Sequence, residues 1–149
     1  MKIIVLAGGL SPERDVSLTS GAGICRTLRE MGHQAFLMDV FFGFPYDADR
    51  LMEVFDLPGA GLEIADGIKT TAPDLDALKR SRPDQSDCML GPNVIELCQM
   101  ADITFMGLHG SIGEDGKLQA TFDVLGIRYT GPSALGCSLS MNKLVAKQI

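Results

Sequence analysis

The sequence predicts an α/β domain, an open and mostly parallel sheet with helices on both faces, and three observations predict it. Continuous apolar runs recur as "KIIVLA", "QAFLMDV" and "ADITFMGL", the pattern of strands buried on both faces. Segments of helical period separate them, and glycine-rich polar loops follow the first and third runs.

The elements follow in order. Lys2 to Ala7 is the first strand, and "GGLSPERD" is the loop after it. From about Asp15 to Met31, residues Val16, Ser20, Ile24, Leu28 and Met31 recur at helical spacing, with Asp15 or Ser11 as N-cap candidates and Gly32 as the stop. The small residues of "SGAG" suit close packing of that helix on the sheet. Gln34 to Val40 restarts a strand. "GPNVIELCQM" reads as a helix with Pro92 in its first turn, "ADITFMGL" as a buried strand, "KLQATFDVLG" as a helix closed by Gly126, and "IRYTG" as a short fourth strand. The last dozen residues, Ser138 to Ile149, read as helical.

Phe41 to Gly91 breaks the pattern. It carries ten of the acidic residues against five basic ones and four of the seven prolines, with no sustained period. The expectation is an exposed acidic insertion, with "GLEIADGIKTTA" as a pair of strands, adding so little to the core that its removal leaves a folded domain.

Composition narrows the partners. A chain of 149 residues, 46% hydrophobic and 21% charged, suits one globular domain. A net charge of −6, without a basic cluster interleaved with aromatics, argues against nucleic acid and for small molecules or protein. The opening apolar run is too short for a signal core or a membrane span, which points to a cytoplasmic protein. Cys25, Cys88, Cys98 and Cys137 lack metal-ligand spacing and read as reduced thiols in or near the core.

The chemistry concentrates in two loops. Ligands of open parallel sheets bind outside the carboxyl ends of the strands, so "GGLSPERD" and "GLHGSIGEDG" should meet on one edge. A dinucleotide fingerprint fails there, because Gly8 and Gly9 are adjacent and no third glycine opens the helix. Taken singly, Glu13 and Arg14 read as a solvated pair, His109 as a structural histidine, and Glu114 with Asp115 as a turn. Together they place carboxylates and an imidazole from two loops on one edge, which suits a small zwitterion.

Those residues also carry a resemblance. "GGLSPERDVSLTSG" is similar to the N-terminal signature of D-alanine:D-alanine ligases, and "LHGSIGEDGKLQATFDVLGIRYTG" followed by "SMNKLVAK" to their second signature and the start of their nucleotide-binding region. The resemblance implies a Rossmann-like, pre-ATP-grasp substrate domain over residues 1–131, with 41–91 as its insertion, and the truncated start of a central ATP-grasp domain over 132–149. It implies that Glu13 anchors and prepares the ammonium of the first D-alanine, that Ser17, His109 and Gly110 line that substrate, and that Glu114 and Asp115 support the loop. Lys143 matches the lysine that reaches the ATP phosphates. Asn142 stands where the family more usually has Asp, and Ala120 where it has Gly. ATP and Mg²⁺ are implied for the longer enzyme, a cytoplasmic homodimer that makes the dipeptide for peptidoglycan; the Mg²⁺ carboxylates and phosphate lid would belong downstream. D-lactate or D-serine ligases, and a non-enzymatic Rossmann-like binding module, are the rival readings.

Overall fold

Three of the apolar runs become strands: β1 (Lys2–Ala7), β2 (Gln34–Asp39) and β3 (Ile103–Met106). In this computed structural model, which describes residues 1–148, they form one parallel sheet in the order β2-β1-β3. Val5 lies opposite Leu37 on one side and Phe105 on the other. The expected fourth strand is reduced to one parallel bridge between Thr104 and Tyr129, where the Thr104 N–H donates to the Arg128 carbonyl (2.8 Å) and the Thr130 N–H to the Thr104 carbonyl (3.0 Å). Gly131 at φ +110° and Pro132 then turn the chain away from the sheet.

The helices are α1 (Arg14–Glu30), α2 (Leu75–Ser81), α3 (Val94–Met100), α4 (Ser111–Glu114), α5 (Lys117–Leu125), α6 (Ala134–Met141) and α7 (Lys143–Ala146). Gly32, at φ +86°, ends α1 as expected, its N–H donating to the Arg29 carbonyl. Asp15 falls inside the first turn, and the Ser11 hydroxyl accepts from the Glu13 N–H at 3.2 Å just before it. Pro92 lies outside α3, which begins after Asn93 at φ +61°. Asn142 caps α7, its side-chain oxygen accepting the Leu144 and Val145 N–H groups at 3.2 Å each. Ile149, the end of the expected terminal helix, lies outside the described residues.

The buried stripe of α1 differs from the expected one. Val16, Ser20 and Met31 are exposed, and Ile24 and Leu28 are half-buried; the face against the sheet is Ser17, Leu18, Gly21, Ala22 and Cys25. Proximity selects the smaller residues: a Cβ on Gly21 would lie 2.8 Å from the Ala7 Cβ and 3.0 Å from the Leu37 Cδ1. The alternation of β1 sends Ile3, Val5 and Ala7 to this face and Ile4 and Leu6 to the other, where α3 contributes Val94 and Leu97 and α5 contributes Leu118 and Phe122.

Phe41 to Gly91 is not the loosely attached insertion expected. Phe41, Leu51, Val54, Phe55 and Ala60 are fully buried, the middle three on a 3₁₀ helix (Ala48–Asp56) that packs on Phe36 and Met38. "GLEIADGIKTTA" forms a 3₁₀ turn (Leu62–Ile64) and irregular chain rather than two strands. The Ala60 carbonyl accepts the Leu37 N–H at 2.8 Å, so this segment covers the open edge of β2. The Arg82 guanidinium is buried over the Phe41 ring and donates to the Cys88 and Leu90 carbonyls. Acidity misled here because the charges sit outward while widely spaced aromatic and aliphatic residues turn inward. Cys25, Cys98 and Cys137 are buried free thiols, whereas Cys88 is exposed; burial pushes the Cys98 thiol up to about 12. Among the described residues no helix is long and apolar enough to cross a membrane.

Candidate functional site

The first loop is held from behind. Gly8 and Gly9 leave β1 at φ +71° and +84°, and a Cβ on Gly8 would fall 2.4 Å from a carboxylate oxygen of Asp39. Asp39 ends β2 and accepts the Phe41 and Phe42 N–H groups at 2.8 and 3.1 Å. It also pairs with Arg14, which donates to the Gly9 carbonyl at 3.1 Å and lies over the Phe42 ring. This buried pair fixes the residue next to Glu13. Sequence reasoning missed it, although Asp39 stands out as the one charged residue of "QAFLMDV".

Ser17 joins this loop to the second. Its hydroxyl accepts the Gly8 N–H at 2.9 Å and donates to the Gly107 carbonyl at 2.7 Å. With no exposed surface and its single proton committed, it positions the two loops from beneath, which corrects the expectation that it contacts a ligand. Gly110 is required by proximity, since a Cβ there would lie 2.5 Å from the Ser11 hydroxyl oxygen.

The stretch read as a glycine loop contains one helical turn, α4, started by Gly110, whose carbonyl accepts the Gly113 and Glu114 N–H groups at 3.1 Å each. Asp115 is a loop-fixing residue. It accepts the Lys117 N–H at 3.0 Å and its ammonium at 2.7 Å, while its own carbonyl takes the Ser138 hydroxyl. Partial burial raises the Asp115 carboxyl, but the hydrogen bonds and charge of Lys117 outweigh it and hold the group below the usual range.

Glu13, His109 and Glu114 come together. Each offers a ligand atom, and these atoms all lie within 4.8 Å of one another. The Ser20 hydroxyl sits 3.4 Å from His109 Nε2. Among the described residues no lysine or arginine pairs with either glutamate: Arg14 is held by Asp39 and Lys117 by Asp115. Two carboxylates around an imidazole, open to solvent and without a basic partner among the described residues, make a negatively charged patch that can take a small cation. Lys143 opens α7 as an exposed residue and is not part of the cluster.

The comparisons show the family. The family model described as D-ala D-ala ligase N-terminus matches residues 2–132. A "D-alanine--D-alanine ligase" of Lacticaseibacillus casei is 43% identical over the whole chain, and one of Pediococcus pentosaceus is 40% identical. The chain covers 41% and 42% of these relatives, about two fifths of their length. A crystal structure of D-alanine--D-Alanine Ligase from Bacillus anthracis complexed with ATP superposes with TM-score 0.58 at 22% identity, covering 99% of this chain and 34% of that one, so it supports the α/β fold. With a family match across residues 2–132 and the two signature loops meeting at one sheet edge, this chain belongs to the D-alanine:D-alanine ligase N-terminal family.

Proposed function

We propose that this chain is the substrate-holding N-terminal part of an ATP-dependent ligase that joins two D-alanines into the dipeptide used for peptidoglycan. The observation that carries the reading is the Glu13, His109 and Glu114 cluster at the carboxyl ends of β1 and β3, unpartnered by basic side chains in a chain of this family. In this reading Glu13 takes the ammonium of the first D-alanine, and His109 with Gly110 shapes the wall beside it. Activation of the D-alanine carboxylate by ATP, and attack by the amine of the second D-alanine, would take place on parts of the enzyme downstream. Lys143 would reach the nucleotide phosphates from the start of that region, near residue 132. The complete enzyme is proposed to be a cytoplasmic homodimer.

Among the described residues Mg²⁺ has no fitting site. The one group of three donor side chains among the described residues includes an imidazole, a nitrogen donor ill-suited to a hard, oxygen-seeking cation. No step of the reaction is therefore assigned to Mg²⁺ on this chain.

The test is Glu13→Gln in the complete ligase. Losing a charged hydrogen bond to the ammonium is expected to raise the KM for the first D-alanine by at least about tenfold while the KM for ATP stays within about twofold. Unchanged D-alanine kinetics would remove Glu13 from the substrate site. D-lactate or D-serine as second substrate is decided in the same assay by exchanging the acceptor.

A further inference from the structure

We infer that Glu13, His109 and Glu114 form a site for a borderline divalent metal ion, with Zn²⁺ as its best occupant, and that the metal competes there with the amino-acid ammonium. The competition rests on the ammonium reading above; the metal site rests on geometry alone.

Three parts of the chain supply the three donors: the β1 to α1 loop, the chain after β3, and the end of α4. Local contacts hold their backbones. The Ser11 hydroxyl accepts the Glu13 N–H, and the Glu114 N–H donates to the Gly110 carbonyl at 3.1 Å. Gly110, flanking His109, sits so close to the first loop that a Cβ on it would be 3.9 Å from Glu13 Oε2. Metal–ligand bonds of about 2.0–2.2 Å at tetrahedral angles place donor atoms about 3.4 Å apart. Donor atoms already within 4.8 Å of one another need only side-chain rotation to close on the ion, and both glutamates are exposed and free to rotate. The Ser20 hydroxyl beside Nε2 helps to orient the ring, as the partners of metal-bound histidines commonly do.

Charge and donor chemistry select the ion. The nearest basic residues along the two loops, Arg14 and Lys117, are spent on Asp39 and Asp115, so among the described residues no basic side chain compensates the glutamate charges. A divalent ion neutralises both at once, whereas an ammonium neutralises one. One imidazole and two carboxylates favour Zn²⁺ over Mg²⁺ or Ca²⁺, and three protein ligands leave a fourth position for water.

The experiment is a calorimetric titration of ZnCl₂ into the chain at neutral pH, in a background of Cys88→Ser and His33→Asn. That background removes the exposed thiol and the other imidazole, the remaining thiols being buried. One Zn²⁺ per chain is expected, displaced by neither Mg²⁺ nor Ca²⁺ in tenfold excess. His109→Asn and Glu114→Gln are each expected to weaken Zn²⁺ by at least about tenfold with unchanged thermal unfolding of the metal-free chain. Millimolar D-alanine should weaken apparent Zn²⁺ affinity. Zn²⁺ binding that survives both substitutions, or no Zn²⁺ binding, overturns the site. Zn²⁺ binding lost in both variants yet indifferent to D-alanine upholds the metal site and overturns the ammonium reading; D-alanine binding without Zn²⁺ binding does the reverse.

Discussion

The two faces of the sheet are built by different means. One is closed chiefly by α1, which lays Leu18, Ala22 and Cys25 on Ile3, Val5, Ala7, Ala35 and Leu37, with Ala60 beside them at the β2 edge. The other is closed by several short pieces: the 3₁₀ helix with Leu51, Val54 and Phe55, then α3 and α5. The alternation of β2 accounts for the contrast. Ala35 points to the α1 side and Phe36 and Met38 to the other, so the first layer is thin and the second has a large volume to fill. A thin layer is specified by what is absent, such as the side chain of Gly21. A thick one is specified by scattered large residues that need no common period.

The strongest way to break this contrast is to remove Phe44 to Leu90. Gly43 and Gly91 touch, since a Cβ on Gly43 would lie 2.2 Å from the Pro92 carbonyl oxygen and one on Gly91 2.3 Å from the Gly43 nitrogen. A short linker can therefore close the gap, and any failure reports lost packing rather than strain. The deletion strips Phe36 and Met38 of Leu51, Val54 and Phe55 and uncovers the β2 edge, so loss of cooperative thermal unfolding is expected, the reverse of the outcome that composition suggests. A sharp, reversible transition in the deletion variant would show that the segment is dispensable. Within the segment, Phe55→Ala is expected to cost about 3–5 kcal/mol in urea unfolding. Ile68→Ala, at a side chain 62% exposed, should cost under about 0.5 kcal/mol. Equal losses at the two positions would contradict the burial assigned to them.

What the sequence made legible divides along the same line. The strands were readable because burial on both faces leaves continuous apolar runs, and Gly32 and Gly126 marked two helix ends through their left-handed backbone. The apolar recurrence of α1 did not mark its inward face, where Ser17 and Gly21 make the closest approach, whereas the small residues of "SGAG" did point to it. The site loops could be placed from topology and resemblance, and the meeting of Glu13, His109 and Glu114 agrees with that placement. Ser17 and the Arg14 to Asp39 pair were not legible as supports. Ser17 bonds a backbone carbonyl 90 residues away and Arg14 the end of the neighbouring strand, and neither leaves a local pattern.

The thin face is sharpened by a pair of glycine substitutions in one helix. Gly21→Val pushes methyl groups into Ala7 and Leu37 and is expected to cost about 1–3 kcal/mol. Gly23→Ala meets nothing within 4 Å and should stabilise by up to about 1 kcal/mol through helix propensity. Chemical denaturation of both variants checks the pair, and similar losses would mean that α1 does not lie this close to the sheet.

The last expected effect joins the thin face to the site. Ser17→Ala leaves the Gly8 N–H and the Gly107 carbonyl without their shared hydroxyl. The position lies at the edge of the sheet beneath two loops, where a water can replace part of what is lost, so the expected cost is about 1–2 kcal/mol rather than that of an emptied core. Stability is the lesser consequence. With the hydroxyl gone, the loop that carries Glu13 and the one that carries His109 and Glu114 are no longer tied to one atom, and the spacing of the three donors becomes variable. Ser17→Ala should therefore weaken Zn²⁺ binding by about threefold to tenfold, although the side chain touches no ion. Gly23→Ala, on the same helix but with no partner at the site, should leave that affinity unchanged. Calorimetry on the two variants decides it: equal Zn²⁺ affinities would mean that Glu13 and His109 are placed without Ser17, and that its two hydrogen bonds serve the packing of α1 alone.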